Sequence, residues 1–119
     1  MLLFRIAAVL CFLAVALGAF GAHSLRSTLE SRGMVDVWNK AVFYHFIHAV
    51  MLFVLTMRNP LPRGPWFSFL LGIVLFSGSL YLYALTKTHF LVFVTPFGGI
   101  SFIVGWICLV ICPRLSDSK

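Results

Sequence analysis

The stretch "YHFIHA" (Tyr44–Ala49) holds the side chains most capable of chemistry in this sequence, two histidines three residues apart beside a tyrosine, inside a run otherwise suited to hydrocarbon. Neutral imidazole ligates transition metals and haem, and imidazole exchanges protons near neutral pH. At i, i+3 on a helix, His45 and His48 share one face. Three chemistries therefore compete for them: a metal or haem site, a proton or solute path, and hydrogen bonds that hold helices together.

A haem with two axial imidazoles needs them to approach from opposite faces, so His23 or His89 would have to oppose His45 or His48. No carboxylate or thiolate cluster accompanies the pair, and a bare histidine pair is a weak metal signal. No cofactor is expected, and His23, His45 and His48 are the candidate ligands should metal or haem bind. A transport path would draw on Tyr44, His45, His48, Ser77, Ser79 and Thr95, but it would lack any Asp or Glu inside a span. Enzyme chemistry is not expected. The acidic residues are Glu30, Asp36 and Asp117, which supply neither paired carboxylates for acid–base work nor an orienting acid for a nucleophile.

The elements that position these residues follow from composition. The chain has 119 residues, of which 61% are hydrophobic and 10% charged, with mean hydropathy +1.04. Soluble domains carry about a quarter charged residues; here the bilayer is the solvent. Four apolar runs, about 2–20, 35–57, 66–86 and 90–112, each approach or exceed the ~20 residues a helix needs to cross hydrocarbon. Because backbone polar groups cannot stay unpaired in lipid, helices are expected. The first run exceeds the ~7–15 apolar residues of a secretory signal and is expected to be a retained span.

The connectors are short. "RNPLPRGP" (Arg58–Pro65), with its prolines and glycine, predicts a tight non-helical hairpin, and "KTH" (Lys87–His89) barely a turn. The longer link permits a short surface helix over about 24–32, started by a capping box of Ser27 and Glu30 and ended at Gly33. The expected fold class is all-α: a single integral membrane domain, a four-helix bundle of up-down topology with short loops.

Helical projection at about 100° per residue yields stripes of small residues. Ala7, Cys11, Ala14, Gly18 and Gly21 align on the first span, Ser68, Gly72 and Ser79 on the third, and Gly98, Ser101, Gly105, Cys108 and Cys112 on the last. In lipid, small residues let helix backbones approach and pack. On the second span Trp38, Ala41, His45, His48 and Leu52 form one arc, with Tyr44 at its border. Polar residues in spans face the bundle interior, so an intramembrane polar cluster of His23, Trp38, Tyr44, His45, His48, Ser77, Ser79 and Thr95 is predicted. His23 is expected near Trp38 or Ala41, and imidazole N–H groups are candidates to serve the carbonyls that Pro96 frees in the last helix.

The nine Lys and Arg residues outnumber three Asp and Glu, yet they sit scattered at the ends of apolar runs, as headgroup anchors do. That excludes a nucleic-acid face, which needs a basic patch. One side of the membrane would hold Arg5, Arg58, Arg63, Arg114 and Lys119, the other Arg26, Arg32, Lys40 and Lys87. The small excess predicts both termini in the cytoplasm.

"GAFGAH" (Gly18–His23), "WNKAVFYHFIHA" (Trp38–Ala49), "LFSGSLYLYALT" (Leu75–Thr86) and "TPFGGISFIVGW" (Thr95–Trp106), in this order, resemble the YgdD/YwdK-like inner-membrane family, domain of unknown function 423. The resemblance runs through all four helices; the N-terminus and the Arg58–Pro65 loop carry none of it. It implies a small four-span protein of bacterial inner membranes and implies no established reaction, substrate or cofactor. The sequence thus predicts a structural or accessory membrane subunit, whose partners are the lipid bilayer and either copies of itself or a larger membrane complex.

Overall fold

A computed structural model describes residues 1–111 of the chain. Every element in it is helical: α1 (Leu2–Ala22), α2 (Arg26–Arg32), α3 (Val35–Leu55), α4 (Arg63–Gly72), a π-helical turn (Ile73–Ser77), α5 (Gly78–Thr86) and α6 (Phe90–Ile111). The turn joins α4 and α5 into one 24-residue helix, Arg63–Thr86, so four helices are long and apolar enough to cross a membrane. Cys112, Arg114, Asp117 and Lys119, used above for the end of the last span and the charge balance, lie outside the described residues.

Two expectations about the links are corrected. The hairpin is shorter than Arg58–Pro65, because α4 already begins at Arg63 and carries Pro65 in its first turn. A first-turn proline costs no helical hydrogen bond, since that N–H has no partner anyway. The capping box also fails. Helix α2 begins at Arg26 behind Leu25, with no side-chain cap, and Glu30 pairs instead with Arg26 Nε at 2.8 Å. Burial of Leu29 beside Trp38 and Ala84 sets where this helix lies. Its end at Gly33, in the left-handed region at φ 67, is as predicted.

The helices alternate in direction. Phe4 of α1 meets Phe53 of α3 with ring centroids 4.8 Å apart, while Gly21 of α1 meets Trp38 at the other end of α3. Among the described residues α1 packs on α3 and α2 alone, and α6 packs on α4, the π turn and α5. Among the described residues no backbone contact joins α1 to α6, or α3 to α6. The bundle is therefore a folded row with the Arg63–Thr86 helix between α3 and α6, and α3 reaches α6 only through side chains.

Glycines explain why α6 sits so close. A Cβ at Gly72 would collide with the Phe102 ring, one at Gly105 with the Phe69 ring, and one at Gly98 with the backbone of Phe76 in the π turn. Each large ring fills the space that a neighbouring glycine leaves, a packing that supplies much of helix association in lipid. Across the chain, Ala14, Gly18 and Gly21 present the corresponding face of α1 to α3, with Gly18 against Val42.

Candidate functional site

Helix α3 turns Trp38, Ala41, His45, His48 and Leu52 inward, all nearly inaccessible, whereas Tyr44 stays 37% exposed at the border of that arc. The two imidazoles then part company. His48 Nδ1 lies 2.7 Å from the Tyr44 carbonyl, one helical turn back, and its Nε2 lies 3.0 Å from Trp106 Nε1 of α6. A carbonyl can only accept and an indole N–H can only donate. Nδ1 therefore carries the proton and Nε2 accepts, which leaves neither nitrogen free. The ring also stacks on Phe102 at a centroid distance of 3.7 Å, with planes 11° apart.

His45 faces the other way. Its Nδ1 is 2.9 Å from the Tyr81 hydroxyl of α5, and Tyr81 in turn packs edge-on against Trp38 with centroids 4.8 Å apart. Trp38 Nε1 donates to the Leu17 carbonyl of α1 at 2.9 Å. His45 Nε2 is buried and has no hydrogen-bond partner among the described residues.

Hydroxyls tie the remaining helices. Ser77 Oγ donates to the Ala41 carbonyl at 2.8 Å, and Ser101 Oγ donates to the Ser68 carbonyl at 2.6 Å. Ser79 and Thr95 lie 2.5 Å apart and each also reaches a carbonyl, Phe76 and Leu91 respectively. The π turn has a clear use here: successive residues serve two neighbours, Phe76 giving its backbone to Gly98 of α6 and Ser77 its hydroxyl to α3. Such turns recur where a helix must meet competing demands.

The predicted cluster thus divides into separate bonded groups. Trp38 and His45 join through Tyr81, Ser77 closes on α3, Ser79 pairs with Thr95, and His48 goes to α6. His23 belongs to none of them. It is exposed, because α1 winds through to Ala22 and presents Gly21, not His23, to Trp38. Nor do the imidazoles serve the last helix around Pro96, where the Thr95 hydroxyl bonds Leu91 and Ser79 instead. Tyr81 and Trp106, the histidines' actual partners, were missed in the sequence. Tyr81 carried a faint signal, standing one turn after Ser77; Trp106 carried none, being 58 residues from His48. Among the described residues, no group of three or more His, Cys, Asp or Glu side chains gathers as metal ligands would. His48 could ligate only by giving up Trp106 or Tyr44.

Between α3 and α6 the side-chain bridge leaves a groove of about 330 Å³, lined by Tyr44, His48, Phe76, Gly99, Phe102 and Trp106 among others.

Comparison with known proteins places this architecture. The family described as "Protein of unknown function (DUF423)" matches residues 17–99. The chain is 40% identical to UPF0382 membrane protein YwdK of Bacillus subtilis, with 87% of this chain and 89% of the relative covered. It is 43% identical to UPF0382 membrane protein SH2409 of Staphylococcus haemolyticus, covering 93% and 94%. With UPF0382 inner membrane protein YgdD of Escherichia coli it shares 40% identity over 88% of this chain and 83% of that one. No solved structure matches. The chain belongs to the DUF423 family and is a membrane protein.

Proposed function

We propose that this family member is a non-enzymatic accessory or assembly component of the inner membrane, acting as a homo-oligomer or within a larger membrane complex. One observation carries the reading: both ring nitrogens of His48 are committed inside the protein, to Tyr44 and Trp106. An imidazole so held orients helices. To move a proton or take a metal it must first give up one of these two bonds, the tie to Trp106 on α6 or the in-helix bond to the Tyr44 carbonyl. The serine and threonine bonds act in the same sense, each worth roughly 0.6–2 kcal/mol across helices in lipid.

A transport path would need the polar groups linked along the membrane normal. His45 and His48, however, bond to different helices, Tyr81 on α5 and Trp106 on α6, and this division favours the scaffold reading. Native purification in mild detergent tests it, the expected result being a stable oligomer or a defined co-purifying partner. Flux through proteoliposomes that is specific, and that His48→Ala abolishes in a strictly monomeric preparation, would replace scaffold by transporter. Both termini are placed in the cytoplasm on the Lys and Arg balance; labelling of single cysteines at Arg58 and Lys87 from outside intact cells should mark only the second.

A further inference from the structure

We propose that a second copy of this chain docks at the mouth of the groove between α3 and α6, with Tyr44 of each copy set against Gly99 of the other. The inference rests on the homo-oligomer reading above and says which face makes the contact. Two features that the chain itself leaves unused meet there. Tyr44 is the tenth residue of the 21-residue helix α3, about 14–17 Å from either end at the rise of an α-helix. That depth lies in the hydrocarbon core, out of reach of water and headgroups. The hydroxyls of Ser77, Ser79, Tyr81, Thr95 and Ser101 find partners inside the protein. Among the described residues Tyr44 is bonded only through its carbonyl, not its hydroxyl, and its side chain stays 37% exposed. A hydroxyl in hydrocarbon without an acceptor is costly.

Gly99 is the second feature. Gly72, Gly98 and Gly105 each admit atoms of their own chain so closely that a Cβ would clash, whereas a Cβ at Gly99 would meet only Phe76 ring atoms at 3.8 Å and 3.9 Å. That gap has no close tenant within the chain, and in lipid a glycine on a helix surface lets another helix come near. Gly99 is also the tenth residue of its helix. Because α3 and α6 run in the same direction, Tyr44 and Gly99 lie at one depth, and both line the same opening. A two-fold axis along the membrane normal keeps every residue at its own depth, and it sets residue i against j and j against i. A ring that projects beside a gap of equal depth is therefore complementary to its own copy. The bonding matches as well. A helix carbonyl keeps a second lone pair, and those of Leu17, Ala41 and Ser68 already accept from neighbouring helices. Backbone bared at Gly99 offers such a carbonyl to the Tyr44 hydroxyl of the second copy, once on each side of the axis. An acyl chain would fill the gap but bring no acceptor.

The test is resonance energy transfer between donor- and acceptor-labelled copies of the full chain in liposomes, diluted stepwise with lipid. Wild type should show transfer that falls with dilution about a defined dissociation fraction. Tyr44→Phe should raise that fraction about tenfold, at the usual strength of such bonds in lipid. Gly99→Leu should abolish transfer without lowering the melting temperature. A mixture of Tyr44→Cys and Gly99→Cys chains, each freed of its native cysteines, should cross-link on oxidation, and a mixture of Val9→Cys and Phe93→Cys chains should not. Transfer that survives equally in both groove variants, without the cross-link, places the contact on another face; the scaffold reading then stands and this inference falls. No transfer in wild type, with a different protein co-purifying until Gly99→Leu removes it, gives the face to another partner and also overturns it. A monomeric wild type without any partner sinks both readings. If Gly99→Leu fails to fold, Tyr44→Phe and the cross-link decide.

Discussion

The two polar layers of α3, one around His48 and one around His45, are built on opposite terms. Around His48 both ring nitrogens are engaged: Nδ1–H on the Tyr44 carbonyl and Trp106 N–H on Nε2, with Phe102 against the ring face. Around His45 the chain Trp38–Tyr81–His45 ends on Nε2, which has no hydrogen-bond partner among the described residues. The first layer is the only tie, among the described residues, by which a polar group of α3 holds α6 directly. The second lies where α3 already packs backbone to backbone on α1 and α5. Polar bonds are thus most complete where close backbone packing is missing. An incomplete set is tolerated where van der Waals contact does the holding.

That contrast can be broken at several points. Gly98→Ala should do most damage, because the added methyl meets the Phe76 backbone and not a movable side chain; a loss of about 3 kcal/mol is expected from overpacking, read as reversible unfolding in detergent. His48→Leu comes next at about 2 kcal/mol, for the one interhelical bond to Trp106 at the usual value in lipid together with the in-helix bond to the Tyr44 carbonyl and the stacking on Phe102. A double-mutant cycle of His48→Leu with Trp106→Phe should return a coupling of about 1 kcal/mol, and the same cycle with His45 should return none. His45→Leu itself should cost less than about 1 kcal/mol, since removing the unpartnered nitrogen offsets much of the lost Tyr81 bond. Should His45→Leu prove worse than His48→Leu, the ordering of the two layers is reversed. Gly99→Ala, whose methyl finds ordinary contact distance, should change stability by less than about 0.5 kcal/mol.

The inward face of α3 was legible before any coordinates, since only one arc of that helix combines polar groups with a small residue. The glycine stripes were legible for the same reason: in lipid a glycine is useful mainly where something must come close. What fills each glycine was not. Nothing in the sequence pairs Gly98 with the backbone of Phe76, because that contact exists only through the π turn, and local pattern does not distinguish such a turn from continuous α-helix. His23 misled because it follows the first span on the side where the second begins, and consecutive helices are usually neighbours, while the helix end turned it out to solvent.

Hydrophobic run length, small-residue spacing and the scarcity of charge were enough to determine four membrane helices and their inward faces, because each depends on one helix and its solvent. Which imidazole nitrogen carries a proton, which ring enters which glycine gap, and that Tyr44 opens onto a groove were decided only by tertiary structure. Each of those depends on atoms from helices far apart in sequence, whose rotation and depth relative to one another no single segment encodes.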